Sequence, residues 1–228
     1  MWLRHFADMR PILMLRHGET DWNAQNRWQG WLDIPLNATG RAQALARAAA
    51  LRGAANAFVA VASSDLQRAH ESASILANEL GIATHVVDGG FRERFGGDWQ
   101  GLDRAEIGER WPELVEQWRA GILAGPPNAE PIAAMLERFD RALHAVDHQL
   151  APGPVLLVTH GGIQRAVSLR AGAVVDGVHG NLSGLWLDYD PNLGMLSPGV
   201  GSNTAVSVAP AASDDLHSMR TDPLLATE

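Results

Sequence analysis

A chain of 228 residues that is 46% hydrophobic and 19% charged can bury one substantial core and falls within the usual size of a single α/β domain. Its net charge of −8 argues against a general binder of nucleic acid or of acidic membrane, because the molecule lacks the field to gather a polyanion, so any anion site must be local. The absence of cysteine rules out disulfides, thiolate nucleophiles and zinc-thiolate centres.

All 18 basic residues are arginine, so apart from histidine and the amino terminus every cation is a planar, permanently charged fork suited to phosphate or carboxylate. No apolar run approaches the roughly 20 residues of a membrane span, and the start of the chain lacks the marks of a signal peptide. These readings predict a cytoplasmic protein without membrane partners. The expected organisation is an extension over residues 1–10, one domain over 11–210 and a flexible tail over 211–228, with Met9 an alternative start to Met1.

In chain order, PILMLR (residues 11–16) reads as a buried strand that empties into a long polar loop. NATGRAQALARAAALRG (37–53) has helical spacing, with Thr39 as the expected cap and Gly53 as the stop. AFVAVASS (57–64) predicts a second strand, and DLQRAHESASILANELG (65–81) a helix capped by Asp65 and closed by Gly81. ATHVVD (83–88) predicts a third strand. Residues 98–153 read as mostly helical with a break at 125–131. VLLVTHGG (155–162) repeats the first strand's pattern, an apolar run ending in histidine and glycine, and GIQRAVSLRAG reads as the helix that follows it. GLWLDYD (184–190) and TAVSVAP (204–210) predict two more strands. A mostly parallel sheet with helices on both faces follows, with ligands expected at the carboxyl ends of its strands.

The triplet Leu-Arg-His occurs at residues 3–5 and again at 15–17, but only the second copy ends a strand. There Arg16 and His17 precede Gly18, whose missing side chain is expected to let a ligand approach the backbone. A neutral imidazole can attack phosphorus while arginine holds the phosphoryl oxygens. Arg68 follows the second strand and His160 the later one, so the four groups converge on one rim if the strand reading holds. Glu93, in FRERFGGDWQG, is placed as a general acid for the leaving oxygen. The plainer readings are a core histidine at 17 or 160, a surface charge at 68 and a solvated charge run around 93.

LRHGETDWN, QGWLDIPLNATGRAQA, SSDLQRAHESA, FRERFGGDWQG and VTHGG resemble, in order, the successive blocks of the histidine phosphatase superfamily in its phosphoglycerate mutase-like branch. The resemblance spans about residues 11–172. It implies a three-layer α/β/α sandwich around a mainly parallel six-stranded sheet, and an enzyme that uses no metal and no cofactor. It implies His17 as the nucleophile that becomes phosphohistidine and Glu93 as the proton donor. Arg16, Asn23, Arg68 and His160 would bind the transferring phosphoryl group, Asn23 having an Asx-type turn as its plainer reading. Asn203, in GSNTAVSV, sits where the family's closing strand often has Asn.

The stretch from Glu93 to His160 is shorter than in the mutases, where an insertion closes over the substrate and supplies extra arginines. Arg104, Arg110, Arg119, Arg138 and Arg141 fall in it without an adjacent pair. The expected activity is therefore hydrolysis of a small phosphorylated metabolite, with a phosphoglycerate mutase and a noncatalytic phosphate- or protein-binding relative as rivals. PPNAEP replaces the GGES common in such phosphatases and keeps the acid at Glu130. The resemblance allows a homodimer, which no apolar stripe specifies. His144 and His148, four apart on an expected helix, could hold a metal with Asp140 or Asp147, and a solvated face is the preferred reading. Trp22, Trp28, Trp31 and Trp99 either line a pocket or pack loops.

Overall fold

The computed structural model describes residues 9–53, 58–120, 125–173 and 180–199. The first apolar run forms β1 (Arg10–Arg16), and β2 (Ala60–Ser63), β3 (His85–Val87) and β4 (Val155–Thr159) lie parallel to it. β5 (Gly184–Asp190) runs antiparallel to β1 and β6 (Met195–Pro198) antiparallel to β5, in the order β3-β2-β4-β1-β5-β6.

The interiors of the central strands are apolar because both faces are covered. Ile12, Met14, Val155 and Leu157 face α6 (Ile132–Gln149) and α7 (Gly161–Arg170), through residues such as Phe139, Leu143, Ile163 and Val167. Leu13, Leu15, Leu156 and Val158 face α2 (Ala38–Leu51) and α3 (Gln67–Leu80), through Ala48, Ala73 and Leu76. The period-2 alternation of one apolar run thus feeds two cores, which makes the molecule the expected three-layer α/β/α sandwich.

Local details differ from expectation. α2 is capped by Asn37, whose side chain accepts from the Gly40 amide at 2.8 Å, and Thr39 lies inside the helix. α3 has no side-chain cap: Leu66 holds the cap position, and Asp65 is drawn instead into a two-pronged pair with Arg92. Gly81 ends α3 in the left-handed region, as predicted. The polar loop after β1 contains a short helix, α1 (Asp21–Ala24), set by a capping box between Thr20 and Asn23.

The sixth strand is Met195–Pro198, joined to β5 by a turn in which Asp190 accepts from the Asn192 and Leu193 amides. The strand expected over 204–210, like Asn203, lies outside the described residues. α4 (Arg104–Arg110) and α5 (Pro112–Arg119) form a helical excursion, seated on a satellite core where Trp28, Trp99 and Trp118 meet edge to face. Among the described residues no helix is long and apolar enough to cross a membrane.

Candidate active site

The chain leaves β1 toward the α2–α3 face and leaves β4 toward the α6–α7 face, so a crevice opens between the carboxyl ends of these neighbouring parallel strands. That divergence is where open α/β sheets place ligands. Arg16 pairs with Thr159 in the ladder, and the next residue on each strand is a histidine. The His17 and His160 rings consequently stand 5.1 Å apart between centroids, both fully enclosed.

His17 Nδ1 lies 2.7 Å from the Gly18 carbonyl. A carbonyl can only accept, so Nδ1 carries the proton and Nε2 presents a lone pair. Arg68 Nε donates to that Nε2 at 3.3 Å, while its Nη1 and Nη2 donate to the carbonyls of Leu32 and Gly30 at 2.9 and 2.7 Å. Arg68 is 1% exposed, and burial lowers its pKa to about 10, where it is still charged at neutral pH. Burial, then the Arg68 and Arg16 charges, holds His17 well below the ordinary histidine pKa, against the opposing bond to Gly18. Burial foremost, with Arg68, His17, Arg138 and Arg16, does the same to His160. Both nitrogens of His160 are buried without a hydrogen-bond partner.

Arg16 is buried with its guanidinium against the start of α7, where a Cβ added to Gly161 would come 3.4 Å from Nε. Glu93 sits at the same helix start: Oε2 accepts from the Gly162 amide at 3.0 Å, and Oε1 from the Ile163 and Arg94 amides at 3.1 and 2.9 Å. The carboxylate therefore caps the positive end of α7. Asn23 Oδ1 is occupied by the backbone and hydroxyl of Thr20, at 3.1 and 3.0 Å, so its amide hydrogens are what it can offer elsewhere.

Gly18 also has a packing purpose: a Cβ there would stand 2.6 Å from the Gly40 carbonyl oxygen, so its smallness seats α2 against the loop after β1. The tryptophans divide. Trp28 and Trp99 are packing residues, whereas Trp31 is 37% exposed and donates its indole hydrogen to the Glu93 carbonyl at 2.6 Å. His144 and His148 bond to each other at 3.0 Å while Asp140 pairs with Arg170 and Asp147 with Arg10. Among the described residues no group of three or more potential ligands could hold a metal.

Several positioning groups escape sequence reading. Ser72 accepts from the Gly18 amide at 2.9 Å and donates to the Arg68 carbonyl at 2.6 Å, tying β1's end to α3. Its place one helical turn after Arg68 was the available signal. Asn181 donates to the His17 carbonyl at 2.9 Å, with only turn-like neighbours to mark it. Gln29 is buried with its amide oxygen unpartnered, in the loop whose carbonyls hold Arg68.

Residues 12–178 match the family model of the histidine phosphatase superfamily, branch 1. The chain is 37% identical over 169 residues to a glucosyl-3-phosphoglycerate phosphatase of Mycobacterium tuberculosis, covering 70% of this chain and 74% of that protein. It is 36% identical over 167 residues to phosphoglycerate mutase-like protein 4 of Arabidopsis thaliana, covering 72% of each. The solved structure of a mycobacterial glucosyl-3-phosphoglycerate phosphatase with VO3 superposes with a TM-score of 0.70 at 32% identity, over 82% of this chain and 95% of that one. Five sequence blocks, a shared fold and a histidine pair at the sheet's crevice agree: the chain belongs to the histidine phosphatase superfamily.

Proposed function

We propose that the protein hydrolyses a small phosphate monoester through a phosphohistidine formed on His17. The observation that carries this reading is Nε2 of His17, left unprotonated by the Nδ1–Gly18 bond and accepting from Arg68 Nε at 3.3 Å, a hydrogen that passes to a phosphoryl oxygen as Nε2 attacks, with the His160 ring alongside. A neutral, oriented imidazole among fixed cations is what in-line attack on a phosphate dianion requires. The likeness to a glucosyl-3-phosphoglycerate phosphatase supports a small phosphorylated metabolite as substrate.

In the first step the bond from Nε2 to phosphorus forms as the bond from phosphorus to the ester oxygen breaks, and Glu93 delivers a proton to the departing oxygen. Oε1 already takes two amide hydrogens and Oε2 only one, so Oε2 is the oxygen with room for that proton. In the second step water attacks phosphorus, Glu93 takes its proton, and His17 departs with the lone pair it brought. Arg16, Arg68 and the Asn23 amide hold the equatorial oxygens. His160 joins them and gains the partner its buried nitrogens lack, a deficit that costs about 1–3 kcal/mol per unsatisfied group. We place the reaction in the cytoplasm, a reading supported by the cysteine-free sequence.

The test is release of inorganic phosphate from a panel of phosphomonoesters in EDTA, by the wild type and by His17→Ala. Release that persists in EDTA and vanishes in the variant, with acid-labile phosphate trapped on the wild type alone, supports the reading. Phosphoryl transfer between phosphoglycerate isomers after bisphosphate priming, without release to water, would replace it with the mutase.

A further inference from the structure

Arg138, on α6, makes five hydrogen bonds with its five N–H groups, and none is directed at the crevice. Nη1 donates to the carbonyls of Gly90 and Arg92, both at 2.7 Å, and Nη2 to the carbonyl of Glu93 at 2.8 Å. The remaining two reach Glu130: Nε to Oε1 at 2.7 Å and Nη2 to Oε2 at 2.9 Å, with both side chains only 13% exposed. The Glu130 carboxylate also accepts from the Phe95 amide at 3.2 Å, and the Glu130 backbone N–H donates to the Phe95 carbonyl at 3.0 Å.

Residues 90–95 therefore have few ladder partners of their own; Thr159 holds the Phe91 carbonyl, Trp31 shares that of Glu93, and one guanidinium gathers the three carbonyls of Gly90, Arg92 and Glu93. Such a segment must satisfy its carbonyls somewhere, and a loop left to water would sample many conformations. Only a planar fork with five donors can bind three carbonyls of one short segment while a carboxylate fixes its orientation. The Glu93 carbonyl lies on that fork and its side chain lies on the first turn of α7, so the carboxylate is held from both sides.

We propose that Arg138, oriented by Glu130, is a positioning residue that fixes the Glu93 carboxylate for proton transfer, not a ligand for the substrate. The proposal rests on the general-acid reading of Glu93 given above. Its signature is dependence on the leaving group. A primary alkoxide must be protonated as it departs, whereas p-nitrophenolate leaves without a proton, so loosening Glu93 slows alkyl esters selectively.

The experiment compares kcat/KM, which reads only the steps through the first phosphoryl transfer, for a primary alkyl phosphate and for p-nitrophenyl phosphate. Glu93→Gln should lose on the order of 100-fold on the alkyl ester and far less on the aryl ester. Arg138→Met and Arg138→Lys should show the same bias, about tenfold or more in the ratio of the two esters, with Lys failing because it lacks the fork. Glu130→Gln should show a smaller bias of the same sign, and it carries the test with Arg138→Lys if Arg138→Met does not fold. Arg141→Ala, an exposed arginine on the same helix, should leave both rates unchanged. Equal losses on both esters, or none, in the Arg138 variants while Glu93→Gln stays biased would overturn the positioning role. An unbiased Glu93→Gln would instead remove the general-acid reading, and the proposal with it.

Discussion

At the scale of single residues, the crevice depends on side chains that have no substitute of similar size. Arg68 spends Nε on His17 and both terminal nitrogens on the carbonyls of Gly30 and Leu32. Lysine keeps the charge but cannot address three acceptors in one plane, so Arg68→Lys should lower kcat/KM by about 10²–10³, as loss of a preorganised anion donor does. Steady-state kinetics on the best ester measures it, and a change under threefold would sink the assignment. Gly162 is as constrained: a Cβ there would lie 2.6 Å from Glu93 Oε1. Gly162→Ala should displace the carboxylate and reduce kcat on an alkyl phosphate about tenfold or more, while costing only about 1–3 kcal/mol of stability. The residues proposed to bind phosphate were legible because their chemistry leaves a pattern at strand ends. Arg138 was not, because nothing in sequence separates an arginine that binds substrate from one that gathers its neighbours' carbonyls.

At the scale of elements, the position of His17 depends on how closely α2 approaches the loop after β1. A Cβ on Gly40 would stand 2.2 Å from the Glu19 carbonyl oxygen, and backbone cannot yield as a flexible side chain does. Gly40→Ala should therefore destabilise the fold by about 1–3 kcal/mol. Gly108, inside α4 with nothing within 4 Å of an added Cβ, should do the reverse, gaining about 0.4–1 kcal/mol on change to alanine. Urea unfolding of the pair checks both signs, and a stable Gly40→Ala would mean that the approach is not needed. Apolar period made the central strands and main helices readable, because burial on one or both faces dictates it. The caps were not readable by composition: Thr39 and Asp65 are good capping residues, but Asn37 and the demands of Arg92 displaced them. β6 escaped because Met195–Pro198 is a short edge strand with an exposed end and little period to detect.

At the scale of the whole molecule, enclosing two histidines among arginines couples stability to pH. Both rings are held neutral in the folded state, His17 and His160 alike having burial as the largest cause. In the unfolded chain each takes up a proton near pH ~6.5. Below that value the unfolded state binds more protons than the folded one, so acidification favours unfolding. The stability that depends on neutral histidine is therefore complete above about pH 6.5 and is lost as pH falls toward the depressed folded values, by about 1.4 kcal/mol per pH unit for each ring. His160→Gln removes one of these sites, so its unfolding free energy between about pH 6.5 and 5.5 should fall with a slope shallower by about 1 kcal/mol per pH unit, because the unfolded histidine is only part-protonated across this range. Bound inorganic phosphate favours imidazolium beside it, so saturating phosphate should also flatten the wild-type slope and should do so less in the variant. Chemical denaturation across this range, with and without phosphate, measures both effects; equal slopes for wild type and variant would mean that His160 titrates in the folded crevice as it does in water.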